Sequence, residues 1–210
     1  MSVFSAVSTA EAGSLAPLIL FVVVATITPG GATALATASG SRFGFRRSIP
    51  LMAGIALGLA TLAAAAAAGL ASVLLAAPAL QTALKAIGSA YLLWLAWQVA
   101  RSGPPDLERG AQASAVPTTL VGGACLLWLN PKGWAVALGA AASFAMLANG
   151  PLHLALLLAC AFGGGALVSM SLWCAAGVLL ARLLRTPRQW RTVNTILGVL
   201  LAVSIIPMWR

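Results

Sequence analysis

Acidic residues are nearly absent from this 210-residue sequence. Asp and Glu number only 3, and all charged residues together make up 7% of the chain. A water-soluble domain typically carries about a quarter charged residues, so this chain cannot cover itself with a hydrated surface. Hydrophobic residues reach 61% and the mean hydropathy is +1.01. This composition excludes a soluble domain and predicts a chain whose solvent is mostly lipid.

Paired cysteine and histidine ligands are also missing. Cys125, Cys160 and Cys174 are widely spaced, and the chain has 1 histidine. No CxxC or Cys/His spacing is present, so we predict no metal and no cofactor. A membrane thiol-electron carrier would need paired cysteines in the first and fourth apolar runs, and the first run has none. An intramembrane enzyme would need a buried nucleophile–base pair, which is likewise lacking, so we predict that the chain is not an enzyme.

The basic residues lie between long apolar runs. The chain has 12 Lys and Arg and a net charge of +9. Arginines cluster in the connections 39–48, 101–117 and 182–192, whereas the connections near 77–78 and 149–151 have none. By the positive-inside rule the first set is cytoplasmic and the second external, which leaves both termini external. Since no soluble basic face is present, we predict no nucleic-acid binding.

The apolar runs predict an all-α membrane protein with six transmembrane helices in a single domain over residues 1–210. The first run lacks a preceding positive segment, so we expect a retained helix rather than a cleaved signal peptide. Three spans per half make the halves inverted, as repeat one (about 14–101) and repeat two (about 118–208), joined by a cytoplasmic linker at 101–117. The predicted spans are 15–38, 49–76, 79–100, 118–147, 152–181 and 193–207.

Helices one and four of this plan are broken near their middles by proline motifs. Span one contains Thr28–Gly31 (TPGG), and span four contains Asn130–Gly133 (NPKG). Proline removes a backbone donor and glycine permits conformations that end a helix. The prolines lie 102 residues apart, near half the chain length. Paired interruptions in matching halves are typical of a transporter's midplane site, although two ordinary proline kinks remain an alternative.

Two lysines fall inside predicted spans. Lys132 follows the second proline at membrane depth, where a charge costs about 2.5–3.5 kcal/mol and usually faces an interior cavity. Lys85 lies about 9 Å from the outer end of span three, so it can either snorkel to the headgroups or face the protein interior. Tyr91 lies on a nearby face of the same helix. Glycine-rich faces on other spans would serve a homodimer or an internal bundle equally well.

Three stretches resemble the LysE/RhtB family of amino-acid exporters. Residues 28–58 (TPGGATALATASGSRFGFRRSIPLMAGIALG) resemble its start, and residues 83–101 (ALKAIGSAYLLWLAWQVAR) its third helix. Residues 126–140 (LLWLNPKGWAVALGA) resemble its NPK segment. The matches agree in order and spacing, and together they cover nearly the whole chain. The resemblance implies a multi-pass carrier of the bacterial inner membrane that exports amino acids or related small metabolites, driven by the proton gradient.

The resemblance assigns the candidate residues for substrate binding or gating. They are Thr28, Pro29, Gly30, Gly31, Lys85, Tyr91, Asn130, Pro131 and Lys132. The family's first motif usually continues with proline and then Asn or Asp, where this chain has Gly31 and Ala32. No acidic residue lies in a predicted span, so we expect a neutral or anionic substrate whose carboxylate approaches Lys132 and a half-helix N-terminus. The missing polar residue leaves a non-transporting accessory subunit of the same fold as the alternative.

Overall fold

A computed structural model describes residues 2–70, 76–101, 119–206 and 209, and the side chains of residues 2–14, 70, 80, 84 and 131 are not described. These residues are helical almost throughout, with no strand among them, which confirms the all-α prediction. The linker predicted at 101–117 lies outside the described residues except for Arg101. The helices are α1 (Ser2–Ile27), α2 (Gly31–Ala65), α3 (Pro78–Ala100), α4 (Leu120–Trp128), α5 (Pro131–Ser143), α6 (Pro151–Leu183) and α7 (Pro187–Val203).

The chain turns back on itself within α2 at Gly44. This residue has φ 77°, a left-handed conformation that glycine adopts at little cost. The hydroxyls of Ser39 and Ser48 are hydrogen bonded at 2.8 Å, whereas nine residues of straight helix would separate them by about 13.5 Å. Residues 31–43 and 45–65 are therefore two arms joined by a tight turn. A π-helical turn at Ala66–Leu70 extends the second arm.

Glycines allow the backbones of α2 and α6 to touch. A methyl group added at Gly40 would collide with the carbonyl oxygen of Cys174, and one at Gly177 with that of Thr37. The second arm of α2 packs on α4 in the same way, where Gly54 faces the Leu120 carbonyl. Such small-residue contacts let helices approach closely in lipid, where no hydrophobic force drives them together.

The start of the last helix differs from the prediction. We predicted span six from Val193, but α7 begins at Pro187. The reason is a capping box. The Thr186 hydroxyl accepts from the backbone N–H of Gln189 at 3.2 Å, and the side-chain carbonyl of Gln189 accepts from the backbone N–H of Thr186 at 3.0 Å. Arg188 and Arg191 therefore lie in the first turns of α7 rather than in a connection. By length and hydropathy Pro151–Leu183 can cross a bilayer, and so can Gly31–Gly69, which the Gly44 turn divides into its two arms; Leu15–Ile27 is a shorter apolar helix.

Candidate functional site

The first proline motif separates α1 from α2. Helix α1 ends at Ile27, and Gly30 has an extended backbone that caps α2. The hydroxyl of Thr33 accepts from the Gly30 amide at 2.8 Å and donates to the Gly30 carbonyl at 2.9 Å. Thr33 thereby satisfies the Gly30 amide, which has no acceptor in the helix, and adds a second donor to the Gly30 carbonyl, which already accepts from the Ala34 amide at 2.9 Å. The first motif therefore ends one helix and starts another, rather than bending a continuous helix.

The second proline motif separates α4 from α5. The Asn130 side chain accepts a hydrogen bond from the Lys132 amide at 3.0 Å and so caps α5, whose first residue is Pro131. Asparagine is among the preferred N-cap residues, and proline is favoured directly after the cap. Asn130 is only 4% exposed. The NPK sequence thus starts a helix inside the protein.

The two breaks meet. The ammonium of Lys132 donates a hydrogen bond to the carbonyl of Thr28 at 3.0 Å, across 104 residues of sequence. A methyl group at Gly30 would lie 3.3 Å from Lys132 Nζ, so glycine leaves room for the ammonium beside the first break. Positive charge is also favourable here because the C-terminal end of a helix carries partial negative charge. The lysine therefore connects the two halves of the chain.

Other side chains complete the cap on α1. The Ser169 hydroxyl donates to the Thr26 carbonyl at 2.7 Å, and the Trp173 indole donates to the Ile27 carbonyl at 3.3 Å. Together with Lys132, these residues satisfy three successive carbonyls that the helix leaves without partners. Sequence reasoning missed both α6 residues as partners of the break. Their spacing of four places them on one helix face, but it does not tell which helix end they meet.

A cavity lies between the breaks. About 50 Å³ of it can take the centre of a water molecule. Thr28, Gly30 and Gly31 line it from the first break, and Asn130 and Lys132 from the second. The opposite walls are apolar, from α2, α4, α5 and α6: they include Ile55, Leu59, Leu127, Val136, Ala166 and Met170. The cavity thus offers one ammonium and few polar groups against an apolar wall.

Lys85 and Tyr91 stand apart from this cavity. Neither is among its lining residues, although both are described and half-buried. Tyr91 stacks on Trp94 with a ring separation of 5.9 Å. Helix α3 instead approaches the second break at Gly88, which faces the carbonyl of Leu129. The structure therefore brings most residues of the two proline motifs to one cavity, but neither Pro29 nor the two candidates from span three lines it.

The positions where the chain departs from the resembled motif lie at the cavity. Ala32 lines it and is half-buried. A methyl group at Gly31 would lie 3.3 Å from Leu92 and 3.4 Å from Leu201, so α3 and α7 fill the space that a larger residue would need. Neither position adds a side-chain oxygen or nitrogen. Recognition by side-chain charge in this cavity depends on Lys132.

A second cavity lies further along the same helices. It is lined by apolar residues that include Ala66, Leu138 and Leu154, and about 490 Å³ of it can take the centre of a water molecule. Ala66 is seven residues beyond Leu59 of the first cavity, or about 10 Å along a helix. Along α6, Phe162 lies between Leu154 of the second cavity and Ala166 of the first, and its ring is 6.3 Å from that of Phe21. Among the described residues, no group of His, Cys, Asp and Glu could hold a metal ion.

Comparisons with known proteins support a single family. The sequence model of the LysE type translocator family matches residues 17–204. A cysteine/O-acetylserine efflux protein of Salmonella typhimurium is 35% identical over 86 residues, which are 41% of this chain and 44% of that protein. One of Escherichia coli K12 is 34% identical over 96 residues, 46% of this chain and 48% of that protein.

These matches cover a little under half the length of the curated relatives, and no solved structure matches. The family match covers both proline motifs and every helix that contributes to the cavity. The matched family is one of translocators rather than of enzymes. The chain belongs to the LysE type translocator family.

Proposed function

We propose that this chain exports small amino-acid-like metabolites and binds them in the cavity between its two broken helices. The observation that carries this proposal is the 3.0 Å hydrogen bond from Lys132 to the Thr28 carbonyl, which joins the breaks across the cavity. Non-helical backbone at membrane depth is tolerated only where it is buried in protein or lines a cavity. Residues of both motifs line the cavity, so the second condition applies to each of them. The efflux activity of the curated relatives is consistent with this proposal.

The carboxylate of the substrate binds the Lys132 ammonium. An ammonium has three donors, and the Thr28 carbonyl takes one of them. The first turn of α2 adds backbone N–H groups at Gly31 and Ala32, which also line the cavity and have no helical acceptor. A carboxylate there is favoured by the helix dipole. The side chain of the substrate then contacts the apolar wall near Ile55 and Met170.

The proposed topology has six spans in two inverted repeats, with the domain bounds and linker predicted from sequence. The turn at Gly44, flanked by Arg42, Arg46 and Arg47, supports a cytoplasmic end for spans one and two. Arg101 at the end of α3 and Arg185 between α6 and α7 agree with that side. We propose that both termini are external. Transport coupled to the proton gradient completes the proposal.

Efflux from proteoliposomes tests this function. Proteoliposomes that contain the purified chain are loaded with a panel of amino acids and related carboxylates. Efflux is then followed with and without an imposed proton gradient. We expect Lys132→Ala to lower the rate about tenfold or more, since a charge-assisted hydrogen bond contributes about 1.5–3 kcal/mol. Lys132→Arg keeps the charge and should retain part of the rate.

Lys85→Ala is the matched control because it removes a lysine that lies within a helix but outside the cavity. It should leave the rate close to that of the unmodified chain. Equal rates for Lys132→Ala and the unmodified chain would refute the proposed binding site. Absence of gradient-dependent efflux for every member of the panel would favour the accessory-subunit alternative.

A further inference from the structure

The charges around the cavity do not balance. Four helix ends meet there: the C-terminal ends of α1 and α4, and the N-terminal ends of α2 and α5. Each N-terminal end contributes about +0.5 charge and each C-terminal end about −0.5, so these contributions cancel. Lys132 remains as the single charged side chain among the described lining residues. The empty cavity therefore has a net charge close to +1.

Among the side chains that the structure describes, no carboxylate lines the cavity to cancel this charge. The acidic residues are Glu11, Asp106 and Glu108, and none of them lies in an apolar run. A net charge at membrane depth is unfavourable unless it is paired. The bound substrate is the natural counter-ion for Lys132. A monoanion brings the sum to zero, whereas a zwitterion leaves it at +1.

The cavity is also short of acceptors for an α-ammonium group. The three carbonyls at the end of α1 already accept from Ser169, Trp173 and Lys132. The Gly30 carbonyl accepts from the Thr33 hydroxyl and from the Ala34 amide. Ala32, at the cavity edge of α2, has no side-chain oxygen. The Thr28 hydroxyl, which donates to the Val24 carbonyl, still offers its oxygen. No carboxylate among the described lining residues can neutralise a buried ammonium, and burying such a charge unpaired is costly.

We infer that the preferred substrate is a short carboxylate that enters as a monoanion, with its α-position carrying a hydroxyl, keto or acylated amino group rather than a free ammonium. This inference rests on the proposed function, because it assumes that the carboxylate binds Lys132. The carboxylate pairs with the ammonium, the uncharged α-substituent needs no counter-charge, and the apolar wall receives a short side chain. A free amino acid binds more weakly, because its α-ammonium group enters the same cavity as the Lys132 ammonium and finds no negative group to pair with.

Calorimetric titration of the purified full-length chain with three probes tests the inference. L-lactate, N-acetyl-L-alanine and L-alanine share a carbon skeleton and differ at the α-substituent. We expect at least one of the two anions to bind about tenfold more tightly than L-alanine, as one uncompensated charge in a half-buried site can account for that ratio. Tighter or equal binding of L-alanine, or binding of neither anion, would overturn the inference.

Substitutions at Ala32 give the reciprocal test. Ala32→Asp adds a counter-charge and an ammonium acceptor, so it should reverse the preference towards L-alanine. Ala32→Asn is the matched control: it adds similar volume and polarity without charge, and it should keep the preference for the anion. An equal shift in both variants would contradict the charge argument.

Lys132→Gln covers the case in which Ala32→Asp does not fold, since it removes the charge instead of balancing it. We expect it to abolish the preference for the anions. Unchanged binding of all three probes in this variant would refute the binding site of the proposed function as well. If the unmodified chain prefers L-alanine and Lys132→Gln loses L-alanine binding, the proposed binding site stands and only the inference about substrate charge is refuted.

Discussion

At the scale of single residues, the carbonyl end of α1 depends on donors from other helices. Ser169 donates to the Thr26 carbonyl at 2.7 Å, and both residues are buried, at 3% and 8% exposure. This contact could not be predicted from the sequence, because a serine on an apolar helix usually bonds within its own helix. Here it ties α6 to the first break.

We expect Ser169→Ala to lower the stability by about 1–3 kcal/mol, because it leaves the Thr26 carbonyl buried without its donor. Thermal unfolding of the detergent-solubilised chain measures the effect as a lower midpoint. Ser171→Ala is a suitable control, since two residues along a helix point it to a different side of α6. Equal midpoints for the two variants would show that the Ser169 contact does not stabilise the break.

At the scale of helices, the contact of α2 with α6 depends on backbone approach. Gly177 faces the carbonyl of Thr37 so closely that even a methyl group would collide with it, whereas Gly164 on the same helix has open space. We expect Gly177→Ala to destabilise the fold by about 1–3 kcal/mol through overpacking, while Gly164→Ala is neutral or slightly stabilising. Unfolding midpoints of the two variants check this, and similar midpoints would contradict the packing described here.

The helices themselves were largely predictable, and their meeting points were not. The proline motifs correctly marked the ends of α1 and α4 because proline and glycine act on the local backbone. The sequence placed the start of the last span too late, because the arginines at 188 and 191 are typical of a polar connection. The capping box of Thr186 and Gln189 instead starts α7 before them. The side chains that donate to the carbonyls at the end of α1, such as that of Trp173, are brought there by tertiary packing. The spacing of residues in a single sequence does not reveal such contacts.

The candidate site was predictable only in part, for the same reason. Both breaks line one cavity, as their matching positions in the two halves suggested. Lys85, like Lys132, lies inside a predicted span, yet it is not among the lining residues of that cavity. Helical spacing places a lysine on a face of its own helix, but it does not reveal which neighbour covers that face.

At the scale of the whole molecule, the proposed orientation predicts opposite accessibility at its two ends. In a chain whose own cysteines are replaced, Met146→Cys should react with an impermeant thiol reagent from outside the cell, since Met146 is 96% exposed at the end opposite the Gly44 turn. Arg46→Cys, at the arginine-rich turn, should react only in inverted vesicles. Reaction of both positions from the same side would refute the odd number of crossings between them.

The central claim is that the two broken helices form one substrate site, and protection of cysteines tests it most directly. Ala32→Cys and Val136→Cys line the cavity from the first and second halves of the chain. The most strongly exported member of the panel should slow the reaction of both with a thiol reagent, at one shared half-protecting concentration, and leave Met146→Cys unaffected. Protection of only one cavity position, or half-protecting concentrations that differ about tenfold, would contradict a single site.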